Sequence, residues 1–224
     1  MQSEASGVVQ SFQKGWNRSG ERPTTLLLVR HGSTAHSPEG RFSGRNDLPL
    51  DGQGTDQAKA VAAYISRLEP VDAIITSPLR RARETADAIA TATGRTVAVD
   101  EDLIELDFGD WEGLTFGETK QAWPAELADW LDSEHVAPPG GESFAVLAGR
   151  VRNLVDRIRT QYAGQRLVAV SHLTPIKTAL RLAMGAPHEA IFRFHLDTGA
   201  LSIVDYYLDG TCSVRILNRS ERRH

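Results

Sequence analysis

The stretch from Leu26 to Gly32 constrains the fold more than any other part of the chain. Its first four residues are apolar, which predicts a short strand with both faces buried, as in a parallel sheet. The strand is followed at once by Arg30, His31 and Gly32: a cation, an imidazole and a residue whose backbone turns freely. Open α/β sheets bind ligands at the carboxyl ends of their strands, so this stretch predicts a site just beyond Val29.

Two later strands are predicted to end in the same way. Residues 73–76 form a short apolar run before Ser77, and residues 167–170 form another before Ser171 and His172. Parallel neighbours present their carboxyl ends at one edge of a sheet. We therefore expect the three strand ends to share one pocket.

Helical periodicity between the strands completes the pattern. The predicted helices lie at 52–68, from Pro78 to about 93, at 144–162 and at 175–185. This alternation predicts an α/β fold, a three-layer sandwich in which helices flank a mostly parallel central sheet.

Residues 200–207 and 212–217 are predicted to close the chain as a hairpin. The irregular segment 100–142, rich in Gly and Trp, is predicted to be a functional lid.

Composition narrows the function and the compartment. The net charge of −4 gives no reason to expect a nucleic-acid partner. A single cysteine, Cys212, excludes an intrachain disulfide and fits a reducing compartment. No apolar run reaches the ~20 residues of a membrane span, and residues 1–23 lack the apolar centre of a signal peptide. We expect a cytoplasmic protein without a membrane partner, with 1–23 as a flexible tail or interdomain linker and 24–224 as one domain.

The predicted pocket holds groups suited to phosphoryl transfer. The forks of Arg30 and Arg81 match phosphate oxygens, and an imidazole such as that of His31 is a nucleophile toward phosphorus. Glu105 or Asp107 can protonate a leaving oxygen. These groups predict phosphoryl transfer by positioning and charge neutralisation, without a metal. No metal-ligand spacing is seen for the remaining histidines: His36, His135, His188, His195 and His224.

Six motifs, in this order, resemble those of the histidine phosphatase superfamily, which includes the phosphoglycerate mutases. The resemblance covers about residues 25–217 and implies a phosphoglycerate mutase-like fold, a phosphohistidine intermediate and no cofactor. The motifs are Leu-Val-Arg30-His31-Gly32-Ser-Thr, Arg41-Phe42-Ser43-Gly44, Thr76-Ser77-Pro-Leu-Arg-Arg81-Ala-Arg-Glu-Thr-Ala, Glu105-Leu-Asp-Phe-Gly-Asp-Trp-Glu-Gly113, Pro-Gly140-Gly141-Glu142-Ser143 and Val-Ser171-His172.

The same resemblance implies a role for each residue of the pocket. His31 corresponds to the phosphorylated nucleophile and Glu105 to the proton donor, while Arg30, Arg81 and His172 complete the phosphate pocket. The implied contacts with the substrate are Ser37, Ser43, Gly44 and Leu173. Many relatives carry Asn at the position of Ser37 and Gly at that of Leu173. These two departures bear on the substrate more than on the reaction.

A closer likeness is to the C-terminal phosphatase domain of actinobacterial bifunctional ribonuclease H/acid phosphatases, which is similar to alpha-ribazole phosphatase. It implies an acid phosphatase acting on a small phosphorylated metabolite, with alpha-ribazole phosphate as the candidate substrate. It also implies covalent fusion to a ribonuclease H domain in the full-length protein. Two alternatives remain open: a phosphoglycerate mutase, and an inactive module that binds a phosphorylated ligand. The short interval between Glu105 and His172 leaves little room for the insertion that mutases use.

Overall fold

The computed structural model describes residues 22–220. Within them, a single sheet has the strand order β3-β2-β4-β1-β5-β6. Its strands are β1 (Thr24–Arg30), β2 (Ala73–Thr76), β3 (Val97–Val99), β4 (Arg166–Ser171), β5 (Leu201–Tyr206) and β6 (Cys212–Arg219).

The sheet is mostly parallel, as predicted. Strands β3, β2, β4 and β1 run in one direction, whereas β5 is antiparallel to β1 and β6 is antiparallel to β5. Arg30 is level with Ser171, and Thr76 is level with Val170. The carboxyl ends of β1, β4 and β2 therefore lie side by side, which confirms the shared edge expected from the sequence.

Helices cover both faces of this sheet. They are α1 (Gly52–Ile65), α2 (Arg80–Thr93), α3 (Phe116–Ala122), α4 (Pro124–Asp132), α5 (Phe144–Gln161) and α6 (Leu173–Ala183), with 3-10 turns at Glu101–Leu103, Gly109–Trp111 and His188–Phe192.

Two hydrophobic cores separate the three layers. Alternate residues of β1 point to opposite faces: Leu26 and Leu28 join the core of α5 and α6, whereas Leu27 and Val29 join the core of α1 and α2. All four are almost completely buried, which explains why the strand is an unbroken apolar run. The predicted three-layer sandwich is confirmed.

The segment 100–142 is more regular than the sequence suggested, because it contains α3 and α4. Thr115 and Glu118 form a capping box that starts α3, and Pro124 occupies the first turn of α4. The helices have 7 and 9 residues, too few for a clear periodic pattern. Trp111 and Trp130 are buried in the core, so much of this segment is packed structure.

Several predicted boundaries differ slightly from those observed. The helix predicted over 52–68 ends at Ile65, and the one predicted from 175 begins at Leu173. Except for residues 22 and 23, the predicted tail lies outside the described residues, and the domain boundary there stays a prediction. Across residues 22–220, no helix has the length and apolarity needed to cross a membrane.

Candidate active site

His31 lies directly beyond β1 with 6% of its surface exposed. Its Nδ1 is 2.7 Å from the carbonyl oxygen of Gly32. A carbonyl oxygen only accepts hydrogen bonds, so Nδ1 carries the ring proton and Nε2 keeps the lone pair. Burial, followed by the positive charges of Arg81 and Arg30, holds the pKa of His31 well below its usual range. The imidazole is therefore neutral and has a nucleophilic nitrogen.

Arg30 supplies positive charge beside this imidazole. One of its terminal nitrogens donates to the carbonyl oxygen of Leu196 at 2.6 Å, which fixes the guanidinium at the strand end. Burial lowers the pKa of Arg30 to about 10, so the group is charged at neutral pH. Its Nε–H has no partner among the described residues, which leaves a donor for a ligand.

Close backbone packing fixes the loop that carries His31. A Cβ on Gly32 would overlap the carbonyl oxygen of Gly54 in α1, and a Cβ on Gly54 would overlap that of Ser33. The backbone N–H of Gly32 donates to Oγ1 of Thr85 at 3.2 Å, and Oγ of Ser33 donates to Asp51 at 2.8 Å. Because the two backbones touch, only glycine fits at positions 32 and 54.

His172 follows β4, and its ring centroid lies 5.0 Å from that of His31. Nδ1 accepts a hydrogen bond from Nε of Arg81 at 3.2 Å, so Nε2 carries the proton and donates to Oγ of Ser77 at 2.7 Å. Burial, and then the charge of Arg81, holds the pKa of His172 well below its usual range. The two histidines thus form a neutral, buried pair.

Arg81 lies behind this pair and is fully buried. One terminal nitrogen donates to the carbonyl oxygen of Asn46 at 2.6 Å, and the other donates to those of Ser43 and Gly44 at 2.9 Å each. With the bond to His172, most of its donors are used by this chain. In this structure Arg81 therefore holds the 43–46 loop and orients His172.

Glu112 holds the same loop from the other side. Its carboxylate accepts hydrogen bonds from the backbone N–H groups of Gly44 and Arg45 and from Nδ2 of Asn46. Gly44 is needed because a Cβ there would overlap the backbone carbonyl oxygen of Leu106 as well as Oε1 of Glu112. This loop clamp was not predicted, because its partners are distant in sequence.

Glu105 is the buried carboxyl of the site, with 5% of its surface exposed. Oε1 accepts from the backbone N–H of Leu106 at 2.8 Å, and both oxygens lie 3.3 Å from the N–H of Thr174 in α6. Burial raises the pKa of Glu105, although these hydrogen bonds and Arg81 oppose the rise. A carboxyl that holds its proton to higher pH is suited to acid catalysis.

Asp107, the alternative acid, lies elsewhere. Its Oδ1 accepts from the backbone N–H of Gly109 at 2.9 Å, and its Oδ2 is 3.7 Å from Nε of Arg45. It is not among the residues that line the cavity beside His31. Of the two carboxyl groups only Glu105 lines the cavity, and its role as the proton donor stays a prediction.

A cavity of about 280 Å³ opens beside His31. The predicted site residues that line it are Arg30, His31, Ser37, Ser43, Glu105 and Leu173. Three others are close by but do not line it: Arg81, His172 and Gly44. Each of the three is engaged by hydrogen bonds within the chain, so their predicted contacts with the ligand stay predictions.

The largest part of the cavity missed by the sequence analysis is an aromatic wall. It comprises Phe42, Phe108, Trp130, Phe144 and Phe192. Neighbouring rings in this wall have centroids 4.7 to 6.3 Å apart. Most of these residues come from elements that carry no recognisable motif, so only their packing brings them together.

Polar residues of the cavity were also missed, among them His36 and Lys177. Nδ1 of His36 is buried without a partner among the residues described. The position of His36 next to Ser37 was the one sequence feature that could have indicated its place in the cavity. Lys177 lies one helical turn beyond Leu173. Within the described residues, no group of three His, Cys, Asp or Glu side chains is arranged to hold a metal ion.

Comparison with known proteins agrees with this geometry. The sequence model of the histidine phosphatase superfamily (branch 1) matches residues 26–219. The chain belongs to this superfamily. Its membership confirms the resemblance carried by the six motifs, and the fold is that of the phosphoglycerate mutase-like members.

Relatives include proteins named as phosphatases. Bifunctional protein Rv2228c of Mycobacterium tuberculosis is 45% identical over 206 residues, 92% of this chain and 57% of the relative. The chain thus spans little more than half of that protein. Phosphoserine phosphatase 1 of Hydrogenobacter thermophilus is 33% identical over 180 residues, 80% of this chain and 85% of the relative. The structure of a putative alpha-ribazole-5'-P phosphatase from Escherichia coli superposes with a TM-score of 0.80 at 27% identity, covering 88% of this chain and 97% of that one.

Proposed function

We propose that this chain hydrolyses phosphomonoesters through a phosphohistidine formed on His31, without a metal ion. The observation that carries the proposal is the tautomer of His31: the Gly32 carbonyl holds the proton on Nδ1, so Nε2 has a free lone pair. Across the cavity, Glu105 is a buried carboxyl with a raised pKa. Burial moves the two pKa values in opposite directions, which favours the coexistence of a neutral nucleophile and a protonated acid.

In the first step, Nε2 of His31 attacks phosphorus and a P–N bond forms as the bond from phosphorus to the ester oxygen breaks. Glu105 gives its proton to that oxygen, so the alcohol leaves neutral. Arg30 binds phosphoryl oxygens and balances their charge, aided by the nearby charge of Arg81.

In the second step, water attacks the phosphohistidine. Glu105, now a carboxylate, takes a proton from the water as the new P–O bond forms. The P–N bond breaks, and its electron pair returns to Nε2. Inorganic phosphate leaves, and both residues regain their starting protonation states.

The proposed substrate is a small phosphorylated metabolite, with alpha-ribazole phosphate as the first candidate. The similarity to a putative alpha-ribazole-5'-P phosphatase and the aromatic wall support this candidate, because flat rings stack on aromatic side chains. The relative named bifunctional, of which this chain spans 57%, supports a fusion to a further domain such as ribonuclease H.

The proposal is tested with a chromogenic aryl phosphate, with and without EDTA. Turnover should survive excess chelator, and millimolar vanadate should inhibit competitively. The variant His31→Ala should lose turnover by on the order of 10⁴–10⁶-fold, together with the acid-labile phosphoenzyme. His195→Ala is the matched control, because His195 is exposed and paired with Asp197.

Three results would contradict the proposal. One is a loss of activity in EDTA that Mg²⁺ or Zn²⁺ restores. Another is transfer of phosphate within a phosphoglycerate without release, which would indicate a mutase. The third is binding of phosphate esters without any turnover, which would indicate an inactive binding module.

A further inference from the structure

Lys177 is a cation on the cavity wall that the proposed reaction does not use. It lies on α6, three residues after Thr174, and residues at this spacing share one face of a helix. Thr174 is the residue whose backbone N–H contacts the carboxyl of Glu105. Lys177 is therefore one helical turn away from the residue that contacts the proposed proton donor.

The ammonium of Lys177 is held at the edge of the cavity by two contacts. Nζ donates to the carbonyl oxygen of Ile191 at 2.8 Å and lies 5.3 Å from the centroid of the Phe194 ring. The side chain is half-buried and lines the same cavity as His31 and Glu105. Nζ thus bridges α6 and the turn His188–Phe192.

This ammonium has donors left for a ligand. An ammonium carries three N–H groups, and the structure gives it one hydrogen bond among residues 22–220. Burial, and then the charge of Arg30, lowers the pKa of Lys177, while Glu105 opposes this effect. The cation is therefore partly desolvated in the cavity that Arg30 and Glu105 also line, where an acceptor oxygen from a substrate would compensate for lost water.

We propose that Lys177 determines specificity by donating a hydrogen bond to an oxygen on the carbon next to the ester carbon of the substrate. This inference rests on the proposed function. Glu105 is the proposed donor to the ester oxygen, and Lys177 lines the same cavity one turn after Thr174, which contacts Glu105, so its ammonium is placed to reach the part of the alcohol next to that oxygen. Two substrate classes carry such an oxygen: furanose phosphates, through the ring ether, and phosphorylated hydroxy acids, through the carboxylate.

The test uses pairs of esters that share a shape and differ in that oxygen. Tetrahydrofurfuryl phosphate is paired with cyclopentylmethyl phosphate, and 2-phosphoglycolate with isobutyl phosphate. The wild-type enzyme should favour the oxygenated member of a pair by about 10- to 100-fold in kcat/KM, the scale of a hydrogen bond from a charged donor. The pair with the larger ratio identifies the substrate class.

Three variants connect that preference to Lys177. Lys177→Met should bring the ratio close to one, mainly through KM of the oxygenated ester. Lys177→Arg keeps a charged donor and should retain part of the preference. Lys59→Met removes an exposed lysine on α1, outside the cavity, and should behave as wild type.

The outcomes separate this inference from the proposed function. Equal losses on both members of a pair in Lys177→Met, with a shifted alkaline limb of the pH–rate profile, would show that Lys177 acts only on Glu105 and would overturn the inference. A wild-type enzyme without preference in either pair would also overturn it. If no ester is hydrolysed, the proposed function fails, but dissociation constants of the same pairs, measured by calorimetry, still test Lys177.

Discussion

The two walls of the cavity are built in different ways. On the strand-end wall, formed by Arg30, His31 and Glu105, the Gly32 carbonyl engages Nδ1 of His31, and backbone N–H groups fix the carboxyl of Glu105. On the aromatic wall, rings pack against rings at 4.7 to 6.3 Å, and Phe192 is 46% exposed. Hydrogen bonds fix a position and a protonation state, whereas ring packing tolerates exchange for residues of similar volume.

This difference assigns the two walls different tasks. The reaction requires one geometry, so the strand-end wall should tolerate almost no change. The identity of the alcohol depends on shape and apolar surface, so changes in the aromatic wall should move KM more than kcat. The predictions below test this division, beginning with the largest expected effect.

The largest effect that separates the two walls is expected for Glu105→Gln. The amide cannot give a proton, so kcat for an alkyl phosphate should fall by ~10²–10⁴-fold. For an activated aryl phosphate the loss should be smaller, because a phenolate leaves without a proton. Asp107→Asn is the matched control and should remain close to wild type on both esters. A selective loss on alkyl esters in Asp107→Asn would move the acid role to Asp107.

The pH–rate profile gives a second readout of the same carboxyl. Burial raises the pKa of Glu105, so its protonated form persists to higher pH, and lowers the pKa of His31, so its neutral form persists to lower pH. The wild-type rate should stay high in mildly acidic solution and fall as the pH rises through the pKa of Glu105. Glu105→Gln should lose this alkaline limb. An unchanged limb in the variant would show that another group is responsible.

The second prediction compares two glycines of α1. The Cβ of Ala at position 54 would overlap the backbone of Ser33 in the loop that carries the nucleophile. The Cβ of Ala at position 52 would have no other atom within 4 Å. Gly54→Ala should lower the free energy of unfolding by about 1–3 kcal/mol, and a displaced His31 should cost ~10²-fold in kcat. Gly52→Ala should change stability by less than ~0.5 kcal/mol. Equal behaviour of the two variants would show that the strand-end wall is more adaptable than its packing indicates.

How well the sequence predicts each wall follows from the same difference. The strand ends were predictable because the apolar runs and the residues that follow them are contiguous, as at Val29-Arg30-His31. The partners of Arg81 could not be predicted from the sequence. The carbonyl groups that it binds lie 35 to 38 residues away, in a loop without a secondary-structure signal. The predicted contact of Arg81 with a phosphate stays a prediction.

The aromatic wall was beyond prediction for a physical reason. Trp130, Phe144 and Phe192 come from α4, α5 and the 188–192 turn, and they meet only through tertiary packing. An aromatic residue in a short helix looks the same in sequence whether it faces the core or a cavity. Trp111, for example, is completely buried and does not line the cavity, although Phe108, three residues earlier, does.

The smallest effect is expected for Phe192→Leu, compared with Phe116→Leu. The two phenylalanines are similarly exposed, at 46% and 47%, but only Phe192 lines the cavity. Loss of one aromatic contact corresponds to ~0.5–1.5 kcal/mol, so KM for an aryl phosphate should rise by about 2- to 12-fold in Phe192→Leu, with kcat nearly unchanged. For a small alkyl phosphate, which does not reach the mouth of the cavity, KM should not change. Phe116→Leu should match wild type on both esters. A fall in kcat in Phe192→Leu would show that the aromatic wall also positions the reacting groups, and the division between the two walls would then be wrong.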